Sequence, residues 1–298
     1  MPDRSGLKIF WLVGTIVLTM MMTEGMRAQE PSPSPTPSPS PKKESEIKKI
    51  EKEIEEIFRV KPRRPSVSDP ADFSTAGVLQ IEYGYGGYYR GRDFLAQDAG
   101  TLTVSYAATE RIGIEFDLDT VSSQFDRSFV RTTGIGDARL GVQIDLTDET
   151  RQLPSFAVSY FATLPCASVA KNLGTGRVDH AISALFSKKI GTFAVDFNAG
   201  LLIVGKQGEK GFVTGGQFAF GVSRDITKKI NLGAEIYGES KDAGEPQGLF
   251  AATILSYQFN RKTSFSAGLK FGLTPGSPRV GTIAGLTYAF ESFFKKRK

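Results

Sequence analysis

Residues 134–146 read GIGDARLGVQIDL, and this stretch decides the fold. From Ala138 on, Ala138, Leu140, Val142, Ile144 and Leu146 alternate with Arg139, Gly141, Gln143 and Asp145. A period of two places an apolar row on one face of an extended strand and a polar row on the other. Similar segments recur to the C-terminus. The functional question is therefore whether the apolar faces meet each other in a soluble core or meet lipid around a polar interior.

Composition favours sheet. Of 298 residues 32 are glycine, and 22 Phe and 9 Tyr stand against one Trp, a profile suited to sheet surfaces and aromatic girdles. The net charge of +5 is mild, and no basic stripe with interleaved aromatics marks a nucleic-acid groove, so no nucleic-acid partner is expected. A single cysteine, Cys166, excludes an intramolecular disulfide and any multi-cysteine metal site.

The N-terminal part is organised for export. Arg4 and Lys8 precede an uncharged run at 9–22, too short for a spanning helix, and the small residue Ala28 follows. Residues 1–28 read as a signal peptide, with an uncleaved short anchor as the alternative because Met26 stands where a small residue is usual. Residues 29–41 form a Pro/Ser-rich linker, PSPSPTPSPSP at its core, which favours an extended polyproline spacer. Residues 42–61 then read as an amphipathic helix whose seam is Ile47, Ile50, Ile54 and Ile57, a short coiled coil able to join copies of the chain in a homo-oligomer or to pack on the barrel's periplasmic mouth. Pro62 and Pro65 end it.

Twelve strands are expected between residues 75 and 290, an even number as an antiparallel membrane barrel requires, most of them long enough to cross a bilayer at a tilt. The fold class is all-β: an antiparallel transmembrane β-barrel over residues 72–290, with a basic tail at 291–298. Phe193, Phe197, Leu201, Phe265, Leu269 and Phe271 belong to greasy rows. The opposite rows are small residues with isolated polar groups, which suits a crowded lumen better than a water-facing sandwich surface. Lumen-facing candidates are Glu115, Asp117, Arg139, Gln143, Asp145, Asp196, Asn198, Glu235 and Lys270. If the first strand leaves the periplasm, the longer connections, including 88–99, 122–133 and 165–176, face outside, and the periplasmic turns are short.

Several motifs resemble a known family. The opening Gly134, Gly136 and Asp137, the loop start at Pro165, Cys166 and Ala167, the turn with Gly174, Gly176 and Asp179, and the closing VGTIAGLTYAF at 280–290 are similar to outer-membrane transporters named for the meta-pathway of phenol degradation. These are distantly akin to fatty-acid-transporter-type channels for hydrophobic compounds. Cys166 and Ala167 depart from the family pattern, which puts the outside loop's conformation in question. The resemblance implies a bacterial outer-membrane channel or transporter for passive uptake or efflux of small solutes, aromatic or hydrophobic ones among them. Its partners would be outer-membrane lipids, the barrel-insertion machinery and a small apolar or aromatic solute.

Tyr83, Tyr85, Tyr88, Tyr89 and Phe94 are candidates for solute access at the outer mouth, or else an interfacial girdle. The alternative function is a non-conducting structural barrel anchoring a periplasmic helix or partner. No enzyme is expected: on a strand, His180 and Ser183 point to opposite faces and Asp179 points away from His180, so no relay forms locally. One histidine and scattered carboxylates offer no metal or cofactor site.

Overall fold

The structure is a computed structural model that describes residue 63 and residues 66–92, 94–206, 210–239 and 248–290. The signal, the Pro/Ser linker, the isoleucine seam of the helix and the basic tail lie outside the described residues.

Among the described residues there are thirteen strands: β1 (Leu79–Tyr89), β2 (Phe94–Ala107), β3 (Ile112–Asp126), β4 (Arg131–Gly134), β5 (Ala138–Thr147), β6 (Ser155–Leu164), β7 (Asp179–Ile190), β8 (Phe193–Gly205), β9 (Phe212–Asp225), β10 (Ile230–Glu239), β11 (Gly248–Gln258), β12 (Thr263–Gly272) and β13 (Val280–Phe290). Every pairing is antiparallel between neighbours, and β1 pairs with both β2 and β13, which closes the sheet. Because β4 and β5 both pair with β3, they are one broken stave, and the wall is a barrel of twelve. Closure leaves no open edge, the condition for strands to cross a bilayer.

The break corrects one detail of the opening stretch, which reads as a single unbroken strand. Residues 135–137 leave the ladder where β3 carries an extra residue relative to β2: the register of that pair shifts between Gly100 and Thr101, and Thr120 stands opposite no β2 residue. The amide of Gly136 instead reaches the Asp119 carbonyl at 2.8 Å, and the Asp119 amide reaches the Asp137 carbonyl at 3.2 Å, a bulge at the barrel rim. The connection expected as a loop at 122–133 is likewise mostly hairpin, since β3 runs on to Asp126 and β4 returns from Arg131.

Burial runs inside out relative to a soluble protein. Leu140 is 50% exposed and Phe197 41%, whereas Glu82 is 1%, Asp117 2% and Gln143 2% exposed. A sandwich in water would have the reverse pattern. The apolar rows thus form an outer belt for lipid tails, and the polar rows line the interior. The short turns, such as 191–192 between β7 and β8, lie at the end where β1 starts and β13 finishes; by the usual asymmetry of such barrels this is the periplasmic end.

Candidate functional site: a lumen crossed by the chain itself

The nine lumen candidates all lie on inward rows. Glu115, Asp117, Gln143, Asn198, Glu235 and Lys270 are buried, while Arg139, Asp145 and Asp196 are partly so. What the sequence does not announce is their occupant. Arg63 and residues 66–73, ahead of β1, run through the lumen at its periplasmic half and bond to one stave after another.

Glu235 on β10 is the first anchor. Its carboxylate accepts from the Val67 amide at 3.0 Å, the Ser68 amide at 3.1 Å, and the hydroxyls of Ser66 at 2.8 Å and Ser68 at 3.1 Å. Asn198 on β8 then makes a reciprocal pair with the Asp69 backbone, accepting from its amide at 2.7 Å and donating to its carbonyl at 2.8 Å. Ser187 on β7 accepts from the Ala71 amide at 2.8 Å, and Gln143 on β5 donates to the Ala71 carbonyl at 2.8 Å. Asp145 accepts from the Phe73 amide at 3.2 Å. Ala71 packs with Ala157 and Leu185. Most of these anchors hold backbone groups that would otherwise be buried without partners, so the wall satisfies the segment as a sheet neighbour would.

Arg63 supplies the charge. Its guanidinium Nε lies 3.3 Å from Glu115 Oε2 on β3, its Nη2 donates to Gln143 Oε1 at 3.1 Å and sits 3.4 Å from Asp69, and the group stacks 4.6 Å from the Phe73 ring centroid. Phe73 in turn lies flat on Gly113 of β3, where a Cβ would collide with the ring.

Toward the outer end the lumen changes character. Tyr88 (β1), Tyr237 (β10) and Phe250 (β11) cluster with ring centroids 5.2 to 5.3 Å apart, and the Lys270 ammonium lies 4.4 Å from the Tyr88 centroid. The Tyr88 and Tyr237 hydroxyls are 3.1 Å apart. On the opposite wall Arg139 pairs with Asp117 on the adjacent strand at 2.7 Å, and Thr103 donates to the same carboxylate. Arg139 therefore pairs along the wall with its neighbouring strand.

The aromatic residues of the outer mouth do not converge. Tyr88 alone turns into the lumen cluster. Tyr85 is on the outer face, 42% exposed and donating to Asp98 at 2.8 Å; Tyr83 and Tyr89 share its row, with their hydroxyls near Thr120 and Thr282. Phe94 begins β2 against Gly91. His180 is also on the outer face, its Nδ1 2.8 Å from the Tyr160 hydroxyl, whereas Ser183 faces inward and accepts from Gln217 at 3.0 Å. The barrel wall separates the two, so no relay joins them. Among the described residues no group of His, Cys, Asp or Glu is placed to hold a metal ion.

The family-motif residues, distant in sequence, do meet. Asp137, in the gap between β4 and β5, accepts from the Ala167 amide at 2.8 Å. Gly174 passes so close to Asp137 that a Cβ would stand 2.6 Å from its Oδ2. Gly176 turns with φ +72°, Gly134 lies under Leu173, and Asp179 accepts from the Gly205 amide at 2.7 Å. Together they fold the β6–β7 loop, which starts at Pro165 and contains a single 3-10 turn at Val169–Lys171, onto the barrel rim. Cys166 and Ala167, the departures from the pattern, contribute backbone here: the Cys166 amide bonds the Leu164 carbonyl at 2.8 Å, so the loop's hold on Asp137 needs no particular side chain at either position.

The architecture recurs in a solved structure. An outer membrane channel from Pseudomonas putida F1 is 15% identical with a TM-score of 0.57, over 78% of this chain and all of that one. KdgM porin is 10% identical over 71% of this chain and 99% of its own, with a TM-score of 0.47. Outer membrane phospholipase A from Escherichia coli is 10% identical over 80% of this chain and 98% of its own, with a TM-score of 0.43. At 15% identity the first shows the fold alone, and the other two, with TM-scores under 0.5, carry no argument. No curated protein sequence matches the chain. A family model, described as "Putative MetA-pathway of phenol degradation", matches residues 62–290, from just before the lumen segment to the last residue of β13. The chain, an outer-membrane β-barrel, belongs to that family.

Proposed function

We propose that the protein is an outer-membrane channel for passive movement of small solutes, aromatic or hydrophobic ones among them, gated by its own Arg63 and residues 66–73. The observation that supports this reading is the kind of contact holding that segment. Its hydrogen bonds run to polar side chains on an otherwise complete wall, so the segment can leave without unpairing a strand. A segment needed for the wall would instead join the ladder. Beyond it, the tyrosine and phenylalanine cluster with Lys270 gives one wall of the outer half an aromatic surface suited to flat, weakly polar solutes.

The second reading, a non-conducting structural barrel, is favoured by the same occupancy. With the segment in place, Arg63, Ala71 and Phe73 are all 5% exposed or less, which leaves little room beside them. Refolded protein in planar bilayers separates the two. Discrete openings and uptake of small solutes are expected of the channel, and a correctly folded barrel that stays silent with the segment loosened is a structural one.

A further inference from the structure

The acceptors around Arg63 belong to the barrel wall: its guanidinium faces Glu115 and Gln143, and its backbone amide donates to Glu82 at 3.3 Å. Glu82 on β1, Glu115 on β3 and Gln143 on β5 are 1%, 7% and 2% exposed. The barrel orients Glu82 without help from the segment, Gln80 Nε2 donating to it at 2.7 Å and Thr287 Oγ1 at 2.9 Å, whereas Gln143 is oriented jointly by Asp145 at 2.9 Å and by the segment's Ala71 carbonyl at 2.8 Å, its carbonyl oxygen toward the guanidinium. Beside these groups the inward face of β3 is bare at Gly113, a flat place that now holds the Phe73 ring. Arg63 and Phe73, stacked at 4.6 Å, thus present a cationic head and a planar apolar body to a site that belongs to the barrel.

We propose that this site binds arylalkyl amines and guanidines, and that Arg63 and Phe73 are its intramolecular occupant. The proposal rests on the channel reading for its route of access but not for its chemistry. Two carboxylates deep in the lumen are costly without a cation, so a vacated site draws in an organic cation of matching shape. Such a cation would place its charged end where the Arg63 guanidinium now lies, beside the Glu115 carboxylate and the Gln143 amide oxygen. A solute of this class competes with the segment, binding and unplugging being linked.

The test uses the full-length chain with Arg63→Ala, refolded in detergent, and benzylguanidinium as the probe, with benzyl alcohol as the neutral control. The expected result is a higher unfolding midpoint for Arg63→Ala with benzylguanidinium, no rise with benzyl alcohol, and no rise in the Arg63→Ala/Glu115→Gln double variant. In bilayers Arg63→Ala should shift its reversal potential toward cations and be blocked by the same probe. A folded Arg63→Ala protein whose midpoint ignores benzylguanidinium, or one that responds equally with Glu115→Gln, overturns the proposal. If Arg63→Ala does not fold, Arg63→Lys is used; its weaker hold should let benzylguanidinium raise the midpoint, and indifference overturns the proposal equally. A midpoint response in a protein that never conducts keeps the site and removes the channel; conductance without a midpoint response does the opposite.

Discussion

Ser68 donates twice to one oxygen of Glu235, from its amide and from its hydroxyl, both at 3.1 Å. With Val67 and Ser66 added, one buried carboxylate holds the start of the lumen segment. Hydrogen bonds to a charged group contribute about 1.5–3 kcal/mol each, so the anchor is the strongest single hold on the segment. Glu235→Ala is expected to raise open probability in bilayers and to lower the unfolding midpoint. Glu235→Gln, which keeps one acceptor oxygen, should fall between it and the native protein. Equal conductance in all three would remove Glu235 as an anchor.

Gly113 offers an independent way to move the segment. A side chain there occupies the place of the Phe73 ring, and the ring has to leave the wall. Gly113→Val should therefore increase conductance with Glu235 intact. Burying Val in the lumen of a wall that already favours β-branched residues should cost the barrel little, so heat-modifiable migration on gels should be unchanged. Unchanged conductance in a folded Gly113→Val barrel would show that Phe73 does not obstruct the path.

The barrel was legible in the sequence because lipid on one side and a crowded lumen on the other enforce strict alternation. Leu140 and Gln143 declare their faces from neighbours alone. The segment was not legible, since residues 66–73, SVSDPADF, carry no period and read as a connection between helix and barrel. A signal was nonetheless present: Glu82, Glu115, Asp117, Asp145, Asp196 and Glu235 put carboxylates on inward rows beside the cations Arg139 and Lys270, a charge imbalance that Arg63 partly offsets. The break at 135–137 was hidden for another reason. It depends on an extra residue in β3, which only the pairing of two strands defines.

Asp137 is the hinge of the rim loop, and its role is testable outside the lumen. Asp137→Ala removes the acceptor for the Ala167 amide and should expose residues 165–178 to proteolysis in intact cells. Ala167→Ser, which leaves that amide in place, should not. Cleavage at the same rate in all three would mean that the loop is held by other contacts, such as Lys171 to the Thr133 carbonyl at 3.0 Å.

A pH effect is expected at the β5–β6 turn. Glu149 accepts from the Lys188 ammonium at 3.0 Å and from the Lys189 amide at 3.0 Å, and these bonds hold its carboxyl below the usual carboxylate range. A depressed carboxyl stabilises the folded state above its unfolded value, and that contribution disappears as pH falls through the lowered one. The pair is near the surface and contributes at most about 1 kcal/mol. Amide exchange at Lys189 should be slower in the native protein than in Glu149→Gln at neutral pH, with the difference vanishing in acid; a difference that persists there would contradict the assignment.

Arg63 and residues 66–73 are expected to close a pore that the twelve staves leave open. Single-channel recording of the native chain beside a chain lacking those residues tests it most directly. Rare or small openings in the native protein and sustained larger ones in the shortened protein are predicted. Equal conductance in the two, with both barrels folded by heat-modifiable migration, would contradict it.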